Sequence, residues 1–101
     1  MIPYGRQLID NDDINSVVET LKSDYLTTGP AVEKFETALK NATCAKYAVA
    51  LANGTAALHL AMLALRIGKG DSVIVPSISF VATANAARFV GAEVIFSDVD
   101  S

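Results

Sequence analysis

The residues best placed to do chemistry are Asn53, Gly54 and Thr55. They stand between an apolar run, Tyr47-Ala48-Val49-Ala50-Leu51, and an Ala/Leu-rich stretch from Thr55 to Arg66. A Gly-Thr pair opening an apolar helix presents unpaired backbone N–H groups, a hydroxyl and the positive end of the helix dipole, a combination that suits an anion. Gly54 has no Cβ to hold a ligand away from the backbone. The competing reading is structural, a tight strand-to-helix turn capped by Thr55, and spacing alone leaves both open. Phe80, beside another strand end, is open in the same way between core packing and a flat face for an aromatic cofactor. Asp98 and Asp100 follow a third strand, where carboxylates bind metal ions or ribose hydroxyls, but two acids alone are a weak signal.

Other chemistries find no support. Neither Gly-x-Gly-x-x-Gly nor Gly-x-x-x-x-Gly-Lys-[Ser/Thr] occurs, so the usual dinucleotide and nucleotide-hydrolysis motifs are absent, and Gly68-Lys69-Gly70 reads as a turn. One histidine and one cysteine are too few for the usual zinc ligand set, and no metal is expected. His59, among alanines and leucines, reads as a hydrogen-bonded, half-buried structural residue rather than a catalyst. Cys44 has no base beside it in sequence and reads as inert packing.

Composition narrows the class further. The 101 residues fit one small domain, and 51% hydrophobic content excludes intrinsic disorder. A net charge of −3 with eight scattered Lys and Arg argues against a nucleic-acid partner. A lone cysteine makes no internal disulfide, which suits the reducing cytoplasm. No signal-peptide pattern opens the chain, and Ala56 to Leu65, its longest apolar stretch, is far short of the ~20 residues that span a bilayer. A soluble cytoplasmic protein with no membrane partner is therefore expected.

The elements that must position these residues follow from periodicity and punctuation. Asp10-Asn11-Asp12 offers N-caps for a helix with Ile14, Val17, Val18 and Leu21 on one stripe, ending at Ser23-Asp24. An extended loop, Tyr25 to Gly29, leads to Pro30 at the first position of a second helix. That helix should bury Val32, Phe35 and Leu39 and turn Glu33, Lys34, Glu36 and Lys40 to water. A strand at Tyr47–Leu51, a helix from Thr55 to Arg66 closed by Gly68, and a strand at Ser72–Val75 ended by Pro76 come next. Ser79 is expected to cap a helix from Phe80 to Val90 that Gly91 terminates, before a strand at Glu93–Phe96. The class is α/β, with near-continuous apolar strands that suit a mainly parallel sheet buried on both faces. The chain stops directly after a strand-like run with no covering helix, so it is expected to be a piece of something longer.

Taken in order, the motifs become specific. Leu26-Thr27-Thr28-Gly29-Pro30, Phe35-Glu36, Asn53-Gly54-Thr55-Ala56-Ala57-Leu58-His59, Gly70-Asp71-Ser72-Val73-Ile74-Val75-Pro76, Ser79-Phe80-Val81-Ala82-Thr83-Ala84-Asn85, Gly91-Ala92 and Asp98-Val99-Asp100 are all present. The set resembles the N-terminal part of the DegT/DnrJ/StrS family of pyridoxal-phosphate-dependent nucleotide-sugar aminotransferases. The opening Met1 to Gln7 and the stretch Ser79 to Asn85 look most like its pseudaminic acid branch. The resemblance covers essentially the whole chain.

This resemblance implies an aspartate-aminotransferase-like fold (pyridoxal-phosphate fold type I). Two helices, residues 1–45, would precede a β-α-β-α-β unit, residues 46–101, that begins an otherwise seven-stranded, mainly parallel sheet in an incomplete domain. It implies pyridoxal 5′-phosphate (PLP) as cofactor, its phosphate held by amides of Gly54, Thr55 and Ala56 and its ring stacked on Phe80. It implies sugar-nucleotide contacts from Tyr4, from the loop Asp24-Tyr25-Leu26-Thr27, and from Gly54. Glutamate would be the amino donor, a 4-keto sugar nucleotide the acceptor, and a homodimer the assembly. Some family members carry Ser-Ala-Thr where this chain has Asn53-Gly54-Thr55. Transamination also needs a Schiff-base lysine, which the family places beyond residue 101, so no catalytic residue is expected here. Two rival readings remain at this level: a small non-catalytic α/β module for a phosphorylated ligand or partner, and a regulatory relative that keeps the fold without the chemistry.

Overall fold

Residues 5–98 are described by a computed structural model. They divide into two units, one ending at Ala50 and the other starting at Leu51.

The first unit holds two helices, α1 (Asn11–Lys22) and α2 (Pro30–Thr43). Asp10 starts α1 with a capping box: its side chain accepts from the N–H groups of Asp12 and Asp13 at 2.9 and 3.1 Å, and the Asp13 carboxylate accepts from the Asp10 N–H at 3.1 Å. Ser23 closes the helix as its C-cap. The expected stripe of Ile14, Val17, Val18 and Leu21 is present and exposed. Helix α2 begins as expected, with Pro30 in its first turn after Gly29.

Three expectations for the side chains of this unit fail, and so does one for its backbone. Val32 and Phe35 are exposed rather than buried. Glu36, expected to face water, is instead half-buried, and its Oε1 accepts from the Ala50 N–H at 2.8 Å. Cys44 is not packed away: it is exposed and left-handed (φ 54°) at the C-cap of α2. The stretch Tyr47–Leu51 forms no strand. A strand exists through a ladder with a neighbour. Among the described residues none pairs with this stretch, and the Ala50 N–H is spent on a side chain.

The second unit runs α3 (Gly54–Ala64), β1 (Ser72–Pro76), α4 (Ala82–Phe89), β2 (Glu93–Ser97). The cap of α3 is Asn53, not Thr55: Asn53 Oδ1 accepts from the Ala56 N–H at 2.8 Å. Nor does Gly68 close α3. Arg66 takes the left-handed conformation (φ 59°), and the N–H groups of Arg66 and Ile67 donate to the carbonyls of Leu63 and Met62. That pair of bonds is a Schellman motif with an arginine at C′. Helix α4 ends in the same motif with Gly91 (φ 82°) at C′, as expected.

Strands β1 and β2 pair in parallel, Ser72 opposite Glu93 through Pro76 opposite Ser97. With a period of two, Val73, Val75 and Val94 share one face and Ile74 and Ile95 the other. The core is small and made of small residues: Val75, Ala82, Ala86, Ala87 and Ala92 are buried. Alanines on α4 let its backbone lie close to the strands. Helix α3 packs on α4, where the His59 and Phe89 rings meet edge-on with centroids 5.4 Å apart. His59 is half-buried as expected, but its side chain makes no hydrogen bond among the described residues; its ring contact is Phe89.

The expected β-α-β-α-β unit is therefore present as a helix followed by β-α-β. No helix among the described residues is long and apolar enough to cross a membrane.

Candidate functional site

Helix α3 starts where Asn53, extended at φ −167°, gives way to helical Gly54. The first N–H groups of any helix lack partners within it. Here the Ala56 and Ala57 N–H groups are satisfied by the Oδ1 and the carbonyl of Asn53, at 2.8 and 3.2 Å. Those of Gly54 and Thr55 have no acceptor among the described residues. Two amides therefore point out of the helix end, with the Thr55 hydroxyl beside them.

Gly54 needs its missing side chain for neither of the ordinary reasons. Its φ lies outside the left-handed region, and a Cβ built on it meets nothing within 4 Å. Space is left open around the turn at Gly54.

A groove of about 660 Å³ opens from this turn, lined by Gly54, Thr55, Leu58, Ala61, Phe80 and Thr83 among others. That is within the ~300–1,000 Å³ of small-molecule sites. Leu58 and Ala61 make its floor apolar. Phe80 is 75% exposed and stands at the groove. Gly54, Thr55 and Phe80, far apart in sequence, thus share one cleft, because α3 and α4 pack with their starts side by side.

Other candidates fall elsewhere. The Ala56 N–H is already engaged by Asn53, which leaves it less accessible to a ligand than its neighbours. The loop Asp24–Thr27 belongs to the first unit, where Ser23 Oγ donates to the Tyr25 carbonyl at 3.2 Å. Tyr4 and Asp100 lie outside the described residues. Asp98 accepts from Ser77 Oγ at 3.2 Å at the ends of the paired strands, and no group of three or more potential metal ligands gathers among the described residues. Among the described residues, no lysine lines the groove.

Two features escaped the sequence reading. Asn53 is the cap as well as part of the turn. Ser79, expected to cap α4, makes no such bond, since the N-cap is Val81 (φ −54°, ψ −27°). The Ser79 and Thr83 hydroxyls are instead hydrogen-bonded to each other at 2.8 Å. Two hydroxyl residues four apart around an exposed aromatic were the signal that could have found it.

Comparison with known proteins gives a consistent picture. The family model for the DegT/DnrJ/EryC1/StrS aminotransferase family matches residues 7–101. The chain is 42% identical over 100 residues to a UDP-4-amino-4-deoxy-L-arabinose–oxoglutarate aminotransferase from Shewanella sediminis, covering 99% of this chain and 26% of that protein. It superimposes with a TM-score of 0.87 on Spr1654 from Streptococcus pneumoniae, described as a sugar aminotransferase and solved in its PLP form, at 36% identity over 98% of this chain and 25% of that one. It matches a GDP-4-keto-6-deoxymannose-3-dehydratase, solved with a trapped PLP–glutamate geminal diamine, with a TM-score of 0.86 and 31% identity, covering 97% of this chain and 27% of that one. The chain spans about a quarter of the length of these relatives.

Proposed function

The chain belongs to the DegT/DnrJ/EryC1/StrS aminotransferase family, and on that premise we propose that it is the N-terminal part of a PLP-dependent sugar aminotransferase carrying the phosphate and ring-face half of the cofactor site. The observation that carries this reading is the meeting of Gly54, Thr55 and Phe80 in one cleft. Family membership leaves the non-catalytic module and the regulatory relative without a supporting observation.

When bound, PLP supplies an electron sink that lets an amino group leave one substrate and join another. The residues of this chain bind and orient it. The amides of Gly54 and Thr55, with the Thr55 hydroxyl, take the phosphate at the positive end of α3, where dipole and unpaired donors both favour an anion. Ala56 joins them where Asn53 yields its amide. The Phe80 ring would offer an aromatic face to the pyridine ring and exclude water from that side. Gly54 keeps the turn low enough for close approach. Tyr4, the loop Asp24–Thr27 and Gly54 contact the sugar nucleotide in this proposal. The Schiff-base lysine comes from the rest of the protein, which is cytoplasmic and homodimeric. Residues 1–45 form a helical segment ahead of the PLP-binding domain, whose sheet is completed to seven strands by later parts of the chain.

Glutamate is the proposed donor and a 4-keto sugar nucleotide the acceptor. The finer reading is a UDP-linked acceptor of the pseudaminic acid route, as used by UDP-4-amino-4,6-dideoxy-N-acetyl-β-L-altrosamine transaminase. A second reading, the 4-keto pentose corresponding to UDP-4-amino-4-deoxy-L-arabinose, is favoured by the named Shewanella relative. Both acceptors are UDP-linked and both products carry a 4-amino group. The test incubates the full-length protein with PLP, glutamate and each UDP-4-keto sugar, following 2-oxoglutarate release and the aminated sugar by mass spectrometry. Glutamate-dependent amination of one acceptor is expected. Absence of amination with both rejects the aminotransferase reading for UDP-linked 4-keto sugars.

A further inference from the structure

The proposed function gives the hydroxyl pair Ser79–Thr83 no role, yet it brackets the residue on which the ring face depends. Phe80 is 75% exposed and its neighbours Ile78 and Val81 are 81% and 62% exposed. Within this unit, burial therefore does not hold this segment in place. Helix α4 begins only at Ala82 and has no side-chain cap, so the backbone at Phe80 precedes the regular helix. Two hydrogen bonds tie it to α4. The Thr83 N–H donates to the Phe80 carbonyl at 3.0 Å. The Ser79 and Thr83 hydroxyls meet at 2.8 Å, closing a loop with Phe80 inside it. Thr83 also lines the same groove as Phe80 and Gly54.

We infer that Ser79 and Thr83 are positioning residues for Phe80: their hydroxyl–hydroxyl bond fixes the backbone on both sides of Phe80 and so holds its ring over the groove. The inference rests on the reading of Phe80 as the cofactor's ring face. An exposed aromatic on an unrestrained turn samples several orientations and must lose that freedom when a ligand stacks on it. A turn already closed by the hydroxyl pair removes part of that cost beforehand. A purely structural role as a substitute helix cap predicts something different: lower stability, with no dependence of cofactor affinity on Phe80.

The test uses the full-length protein and PLP itself, with dissociation constants from titration of the cofactor absorbance and the visible circular dichroism band of the bound cofactor as a second readout. Thr83→Val, which keeps the shape and removes the hydroxyl, is expected to weaken PLP binding about three- to tenfold, the range of one lost hydrogen bond. Ser79→Ala should match it, the double variant should be no worse than either single one, and Thr83→Ser should bind normally. In a Phe80→Ala background, Thr83→Val should change affinity by less than about twofold, because the residue through which it acts is gone. Wild-type affinity and an unchanged dichroism band in both Thr83→Val and Ser79→Ala, with Phe80→Ala weakened, overturn the inference alone. An undiminished Thr83→Val penalty in the Phe80→Ala background also overturns it. Full PLP affinity in Phe80→Ala instead removes the ring-face reading and this inference with it.

Discussion

Gly29 passes so close to Tyr25 that a Cβ built on Gly29 would stand 2.6 Å from the Tyr25 Cβ. The conflict is between atoms anchored to the backbone, so no rotamer change relieves it. Gly29→Ala must move the loop that carries Asp24, Tyr25, Leu26 and Thr27. The expected cost is about 1–3 kcal/mol, typical of overpacking, read by thermal or denaturant unfolding of the full-length protein. A raised KM for the sugar nucleotide is expected with it, since that loop is the proposed substrate contact.

Gly54 presents the opposite case. A Cβ added there would meet no atom within 4 Å, and its backbone is helical. Gly54→Ala is therefore expected to leave the cofactor-free protein unchanged or up to about 1 kcal/mol more stable, from the lower backbone entropy of alanine. The same substitution should weaken PLP binding, and Gly54→Val should weaken it further. Unfolding of the cofactor-free protein beside PLP titrations reads the two opposite signs.

For Phe80, the proposed ring-face role sets the expected magnitudes. A side chain that faces the cofactor rather than the core contributes little to folding, so Phe80→Ala should cost the cofactor-free protein within about 0.5 kcal/mol of stability, the range for surface changes. Its loss should appear in PLP affinity and kcat, whereas Phe80→Tyr and Phe80→Trp should be tolerated. A cost of ~3–5 kcal/mol would indicate a core residue instead.

Arg66 and Gly91 occupy the same C′ position at the ends of α3 and α4, both left-handed, at φ 59° and 82°. The left-handed conformation costs a residue with a Cβ about 1–2 kcal/mol. Arg66→Gly is thus expected to stabilise by up to about 1 kcal/mol after the entropy of glycine is counted, and Gly91→Ala to destabilise by a similar amount. Denaturant midpoints of the two variants against wild type check the pair.

What the sequence carried was what neighbouring residues decide among themselves. Asp10 and Asp13 are three residues apart and make their capping box without outside help. Pro30 and Gly91 act through their own backbone preferences, and β1 and β2 showed as apolar runs bounded by turn residues. The motif around Gly54 and Thr55 pointed to a helix start with free amides for the same reason: unpaired N–H groups at a helix start are a local property. Tertiary structure decided the rest. Glu36 left its expected solvent face because the Ala50 N–H lies within reach of it. Tyr47–Leu51 had the composition of a strand but found no ladder among the described residues, and composition does not supply a partner. The packing of α3 on α4 put Phe80 in one groove with Gly54, a placement that spacing alone did not give. Ser79 turned from cap to clasp because α4 starts at Ala82, which brings its hydroxyl to Thr83. Each of these depends on where a distant segment or a helix start falls in space, a quantity that residue type and spacing do not encode on their own.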